Sequence, residues 1–179
     1  MVHWPPRGPM SEQPQVTVYT DGGALGNPGP GGYGVVMMSN QHRKELSGGF
    51  RLTTNNRMEL TAVIRALESL KARCAVTLYT DSRYVADAIE KGWAKKWRAN
   101  GWMRTTKDKA LNPDLWERLL ELLEKHDVRV VWVRGHAGNP ENERCDQLSV
   151  AAAHQSNLPP DEVYELGKPK HGPSNNWMT

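Results

Sequence analysis

Val18-Tyr19-Thr20-Asp21 and Leu78-Tyr79-Thr80-Asp81 are near copies of one another, sixty residues apart. Each closes a β-branched run, Val16–Thr20 and Ala75–Thr80, whose composition predicts a strand, and each run stops at an aspartate. If the two strands lie side by side and parallel, Asp21 and Asp81 meet at the carboxyl edge of a sheet. That edge is where open α/β folds bind their ligands.

The intervening chain supports this arrangement. Tyr33–Met38 and Lys44–Arg51 read as two further strands, so that with Val16–Thr20 they form an antiparallel meander. Met58, Val63, Ala66, Leu67 and Leu70 then follow helical spacing, with Thr54 or Asn55 as the N-cap. After the second aspartate, Ser82–Glu90, Pro113–His126 and Glu141–Ala153 read as helices and Val128–Val133 as a strand. A strand–helix–strand succession implies a right-handed crossover and parallel pairing. The expectation is an α/β fold with a five-stranded mixed sheet, an antiparallel meander plus parallel strands, flanked by helices.

The 179 residues, 38% of them hydrophobic, suit one domain with a real core. Met1–Gln15, rich in proline and polar residues, reads as a flexible leader. Residues 155–179, with Pro159, Pro160, Pro169 and Pro173, read as a flexible C-terminal tail. The globular unit is then residues 16–154. No run approaches the roughly 20 apolar residues of a membrane span, so no membrane partner is expected. Cys74 and Cys145 have neither CxxC nor zinc-site spacing, and no signal-peptide pattern precedes the domain, which points to a reducing, cytoplasmic setting.

Chemistry enters with the acids. Glu59 lies near the start of the helix that follows the meander, where it can lean over the edge holding Asp21 and Asp81. Asp146, on the last helix, is a fourth candidate. Four converging carboxylates repel one another unless cations join them. Hard divalent ions with oxygen preference, Mg²⁺ above all, offset that charge, and a pair of them suits in-line phosphoryl displacement. Read singly, any of the 20 acidic residues is a surface charge or a helix cap.

Charge is also unevenly distributed. The net +3 conceals a segment from Lys91 to Lys109 with seven basic residues against one acid, a local +6 that leaves the rest of the chain at −3. Trp93, Trp97 and Trp102 interleave with those lysines. A basic arm on an acidic body suggests a polyanionic partner, against the plainer reading of a solvated helix face with tryptophans packing it onto the body. Gly22–Gly34 holds seven glycines, including a GxGxxG spacing. Because that stretch runs into a strand rather than a helix, it is no dinucleotide fingerprint, and without Gly-Lys-Ser/Thr it is no P-loop. It reads as a loop, either a tight turn or a close approach to nucleic acid.

Four separated motifs, DGGALGNPGPGGYG (Asp21–Gly34), TTNNRMEL (Thr53–Leu60), YTDSRYV (Tyr79–Val85) and GHAGNPENERCD (Gly135–Asp146), together resemble type 1 ribonuclease H of the bacterial kind. The resemblance spans about Val16 to Ala153. It implies the ribonuclease H-like fold and endonucleolytic hydrolysis of the RNA strand of RNA–DNA hybrids with two Mg²⁺ ions, Mn²⁺ being able to substitute. The implied products carry 5′-phosphate and 3′-hydroxyl ends. It assigns the carboxylates to Asp21, Glu59, Asp81 and Asp146, the four reached above, and adds His136 as an aid to proton transfer or product departure. It places a DNA-strand phosphate pocket at Thr54, Asn55 and Arg57, and minor-groove contacts at Asn27 and Asn56. The basic arm, at about residues 91–109, becomes a substrate-binding protrusion, with Lys95, Lys96, Trp97 and Arg98 among its contacts. Arg83 departs from the family pattern, which has a neutral amide there, and suggests an added phosphate contact or altered sugar reading. A monomer is implied. The rival readings are a non-catalytic hybrid-binding module, a DNA nuclease or integrase-like enzyme of the same fold, and a domain cut from a polymerase polyprotein.

Overall fold

A computed structural model describes Trp4 and residues 13–167. Three strands, β1 (Gln15–Ala24), β2 (Gly29–Ser39) and β3 (His42–Thr53), form the antiparallel meander. Helix α1 (Asn55–Glu68) leads to β4 (Ala75–Thr80), followed by α2 (Arg83–Glu90), α3 (Trp93–Ala99), α4 (Pro113–Lys125), β5 (Asp127–Trp132), α5 (Pro140–Ala153) and a short α6 (Glu162–Leu166). The strand order is β3-β2-β1-β4-β5, with β4 parallel to both β1 and β5. This is the five-stranded mixed sheet with flanking helices that the sequence predicts.

Alternation decides which face of the sheet is covered. Val16, Val18 and Thr20 of β1 and Val76, Leu78 and Thr80 of β4 are all buried, and successive strand side chains point to opposite faces. Tyr19 and Tyr79 take the other parity and stack at 4.8 Å. Helix α1 is buried over nearly its whole length because β1 and β2 flank it on one side and α4 on the other. Its start is fixed by Thr54, whose hydroxyl accepts from the Arg57 N–H at 3.2 Å, which satisfies one of the orphan amides of a helix N-terminus. Ser82 caps α2 in the same way, and Asn139 followed by Pro140 opens α5.

Two expectations are corrected. The glycine-rich stretch is mostly strand, not loop: β1 runs on to Ala24, β2 begins at Gly29, and the Leu25 N–H closes the turn on the Pro30 carbonyl at 2.7 Å. The glycines serve helix docking. A Cβ at Gly32 would strike the Ser149 carbonyl, and one at Gly34 the Cys145 carbonyl, so α5 lies directly on the β2 backbone.

The segment after Ala153, read from its prolines as a flexible tail, is structured as far as Gly167. The Arg51 N–H donates to the Pro159 carbonyl at 2.9 Å, and Asp161 is buried against Thr53 and Arg57. At the other end, Gln15 belongs to β1, the Pro14 carbonyl accepts from the Ala75 N–H, and Trp4 packs on the core beneath Lys44. The remainder of the predicted leader and tail lies outside the described residues. The basic arm consists of α3 and the following loop, which a Met103–Lys109 bridge ties together.

Candidate active site and nucleic-acid surface

The parallel ladder between β1 and β4 ends at the Thr20–Thr80 pair. Beyond it β1 continues alongside β2, with Asp21 opposite Gly34, while β4 stops. The sheet therefore splits where the repeated aspartates stand, and Asp21 sits inside a strand rather than at its end. Glu59 reaches the same point from α1. One oxygen from each of Asp21, Glu59 and Asp81 lies within 4.8 Å of the others. Asp146, from α5, lines the same cleft, and its charge helps to raise the Asp21 carboxyl. All four predicted carboxylates thus face one cleft, three of them tightly grouped and the fourth on its wall.

Crowding has an electrostatic consequence. Burial, then the Asp81 charge, pushes the Asp21 carboxyl up to about 7, against the opposing Gly22 N–H that donates to it at 2.9 Å. Burial and the charges of Asp21 and Asp81 push Glu59 well above its ordinary value. Burial raises Asp81 too, while His136 pulls it back. Glu59 Oε2 is buried without a hydrogen-bond partner. Hard oxygen donors, mutual repulsion and an orphaned buried acceptor are what a divalent-cation site offers before its ion arrives. The cluster fits such an ion.

Two glycines set these distances. A Cβ at Gly22 would run into the Met58–Glu59 backbone, so only glycine lets α1 come this close to β1; Gly135 lies so near Asp81 that a Cβ there would be 2.8 Å from Oδ2. Next to Gly135, His136 is exposed and adopts φ 55°, with Gly138 at 84°. The cleft encloses about 390 Å³, with Asp21, Glu59, Asp81, Asn56, His136 and Asp146 on its walls.

The RNase H family model matches residues 13–154. This chain belongs to the ribonuclease H family. It is 72% identical over 147 residues to the ribonuclease H of Desulforamulus reducens, covering 82% of this chain and 92% of that protein. Among solved structures it is similar to LC9-RNase H1, described as a type 1 RNase H with the type 2 active-site motif, at 36% identity and a TM-score of 0.71 over 79% of this chain and 73% of that one. It is also similar to LC11-RNase H1 solved in complex with RNA/DNA hybrid, at 25% identity and a TM-score of 0.60 over 77% and 96%.

In this ribonuclease H family member the residues read as nucleic-acid contacts fall into distinct groups. Asn27 and Asn55 interlock the β1–β2 turn with the start of α1: Asn27 Oδ1 accepts from the Asn55 N–H at 2.9 Å, and Asn55 Oδ1 accepts from the Ala24 N–H at 2.7 Å. Both are exposed. Asn56 is half-buried on the cleft wall.

Arg57 behaves differently. It is only 4% exposed, and its donors are directed at Asp161, Asp114 and Asn112, with Nε 2.7 Å from Asp161 and Nη2 2.8 Å from Asp114. These partners raise its pKa despite burial and, through Arg57, hold Asp114 below the usual carboxylate range against its own burial. In this arrangement the Arg57 guanidinium has no donor left for a phosphate. Sequence reading missed Asp114 and Asp161, since no motif or spacing links them to Arg57.

On the arm, Lys95 and Lys96 are exposed, whereas Arg98 pairs with Glu124 at 3.2 Å. Trp97 sets its edge on buried Trp116, whose indole N–H donates to the Tyr84 hydroxyl at 2.8 Å. A groove of about 470 Å³ separates arm from body, walled by Tyr84, Trp93, Trp97, Lys96, Arg104 and Lys109. Arg83, the first residue of α2, sits over the Trp132 ring, its guanidinium carbon 3.6 Å from the ring centre.

Proposed function

We propose that this chain is an endoribonuclease that hydrolyses the RNA strand of RNA–DNA hybrids and leaves 5′-phosphate and 3′-hydroxyl ends. The observation that carries the reading is the convergence of Asp21, Glu59 and Asp81 within 4.8 Å at the split in the sheet. Membership of the ribonuclease H family supports it, and so does the hybrid bound by the similar LC11-RNase H1. The complete carboxylate set does not favour a non-catalytic binding module.

Asp21, Glu59, Asp81 and Asp146 would hold two Mg²⁺ ions, with Mn²⁺ able to replace them. Such ions supply charge stabilisation at the phosphate and lower the pKa of water to make a nucleophile at neutral pH. The chain's own part is to orient and exclude. Glu59, buried beneath the cleft, fixes the floor, and Asp21, grouped with Glu59 and Asp81, would be the central ligand. Water oxygen attacks phosphorus and gives up a proton to solvent, the P–O3′ bond breaks, and the departing 3′-oxygen takes a proton. His136, exposed on its left-handed turn, would pass that proton or ease product departure, and its electrostatic effect on Asp81 supports this role.

The DNA strand is assigned to the start of α1, where Thr54, Asn55 and Asn56 offer hydroxyl, amide and helix-terminal groups to a phosphate. Asn27 and Asn56 face the minor groove, and Arg57 braces this surface from behind. Lys95 and Lys96, with the aromatic wall of Trp93 and Trp97, receive the duplex backbone further along. One chain forms the whole cleft, in keeping with a monomer. The two cysteines are buried and free, in keeping with a reducing, cytoplasmic setting; among the described residues no helix is long and apolar enough to cross a membrane.

The test is a labelled RNA–DNA hybrid incubated with Mg²⁺ beside matched RNA–RNA and DNA–DNA duplexes. Cleavage confined to the RNA of the hybrid and abolished by EDTA is expected. Binding of the hybrid without cleavage in Mg²⁺ or Mn²⁺ sinks the enzyme reading, and cleavage of the DNA duplex transfers the chain to the DNA-nuclease reading.

A further inference from the structure

Arg83 is the first residue of α2, two positions beyond Asp81, and its guanidinium carbon stands 3.6 Å from the centre of the Trp132 ring. Trp132 is itself pinned, its indole N–H donating to the Asp81 carbonyl at 3.0 Å. A cation two residues from a carboxylate cluster would ordinarily pair with one of its members, but Arg83 does not: among the described residues its guanidinium has neither a hydrogen bond nor an ion pair. Asp87, one helical turn on and the natural partner by spacing, pairs with Lys91 at 3.8 Å. Stacking occupies the flat face of a guanidinium and leaves its in-plane N–H donors free.

We propose that the Arg83–Trp132 stack is a fixed cationic arm that grips a phosphodiester of the RNA strand next to the one being cut. The choice of strand follows from position. The strand that is cut must lie against Asp81, and Arg83 follows Asp81 through Ser82, which with Asp81 lines the cleft; the surface assigned to DNA belongs to another element, α1. The choice of phosphate follows from chemistry. A planar fork of charged donors matches two phosphate oxygens, and a guanidinium held by Trp132 loses little freedom on binding. The indole's bond to Asp81 also links the grip on the neighbouring phosphate to the carboxylate cluster.

This inference rests on the proposed hybrid-cleaving function, and its test separates the two. The substrate is a duplex with one all-DNA strand and one DNA strand carrying a short central RNA tract, which confines the cut. Single neutral methylphosphonate linkages are placed at successive positions around that cut. For the native chain, one position near the cut is expected to raise KM about three- to tenfold, the loss of one partly exposed charge-assisted contact. Arg83→Gln is expected to raise KM on the unmodified substrate by a similar factor, to lose nothing further at that one position, and to lower the slope of log KM against log salt by about one. Arg83→Lys keeps the charge but not the flat fork, and should recover the salt slope while KM recovers only in part.

Circular dichroism and a thermal melt establish that each variant is folded. An Arg83→Gln variant whose KM and salt slope match the native chain overturns the proposal, as does one that remains sensitive to every methylphosphonate. A loss that follows base identity instead of phosphate charge assigns Arg83 to a base edge and overturns it too. If the native chain fails to cut any hybrid, the functional reading has failed; a native chain that cuts beside an indistinguishable Arg83→Gln variant loses only this inference.

Discussion

Arg57 and Asp161, 104 residues apart in sequence, form a buried ion pair 2.7 Å across at the foot of α1. The same guanidinium holds Asp114 at the start of α4, and Asp161 accepts from the Thr53 hydroxyl at 2.8 Å. One cation thus joins the end of β3, the openings of α1 and α4, and the segment leading into α6. Removing Asp161 takes away one of the two carboxylates that compensate Arg57 and leaves Asp114, so the roughly 3–5 kcal/mol cost of a fully uncompensated buried charge is the upper bound. Asp161→Ala is therefore expected to lower the melting temperature by several degrees and at most by roughly 20 °C for a chain of this size, and Asp161→Asn, which retains hydrogen bonds, by less. Calorimetry checks this, and an unchanged melting temperature counts against the bracing role.

The carboxylate cluster predicts an inverted pH dependence in the absence of divalent ions. The Asp21 carboxyl is raised in the folded chain to about 7 from 3.8. A folded state that holds its proton more tightly than the unfolded state loses stability as pH rises between those values, and the deficit is complete above the higher one. Asp21→Asn removes that penalty. In EDTA the variant should be more stable than the native chain at pH 8, by on the order of 2–4 kcal/mol, with the advantage vanishing near pH 4. Adding Mg²⁺ should narrow the gap, because only the native chain gains the full benefit of the ion. Melts at pH 4, 6 and 8 with and without Mg²⁺ decide the matter.

Gly22 controls how close Glu59 comes. Because its Cβ would overlap the backbone at Met58 and Glu59, Gly22→Ala must push α1 outward. Overpacking of this kind costs about 1–3 kcal/mol, while displacement of a ligand by as little as 1 Å costs a hundredfold or so in rate. Activity should therefore fall much further than stability. Parallel measurement of kcat/KM and melting temperature tests this, and proportionate losses would count against a site-setting role.

The arm separates two kinds of residue. Lys95 and Lys96 are exposed and unpaired by any carboxylate among the described residues, so Lys95→Gln and Lys96→Gln should each reduce the slope of log KM against log salt by up to about one with little change in melting temperature. Trp97 packs edge-on against Trp116 at 5.9 Å, so Trp97→Ala should lower stability by about 3 kcal/mol or less, given its partial exposure, as well as weaken binding. Salt titrations and melts of the three variants distinguish contact from support.

How far the site was legible depends on how local its signals are. Asp21 and Asp81 announce themselves because each follows a short alternating run, and the parallel pairing of those runs brings the two aspartates together even though β1 continues past Asp21. Thr54 reads as a cap because capping involves only the next three residues. Arg57, adjacent to these, reads as a phosphate ligand from its motif yet is buried as a brace, since its partners Asp114 and Asp161 lie 57 and 104 residues away and no periodicity connects them. Gly32 and Gly34 look like loop residues because a binary pattern counts hydrophobic side chains and is blind to a helix that needs the missing ones. Pro159 and Pro160 suggest a tail, but the buried charge on Asp161 anchors that segment through a contact no composition reveals.

The central claim is that the meeting of Asp21, Glu59 and Asp81 makes the chemistry. It is tested most directly by single-turnover cleavage of a labelled RNA–DNA hybrid by the native chain and Asp21→Asn in Mg²⁺, with hybrid affinity measured in parallel in Ca²⁺. The account predicts hybrid-specific cleavage by the native chain, a loss of about a thousandfold or more in Asp21→Asn, in line with removal of a principal electrostatic element of an active site, and hybrid binding retained within a few fold. An Asp21→Asn variant that cleaves at more than about a tenth of the native rate would contradict it.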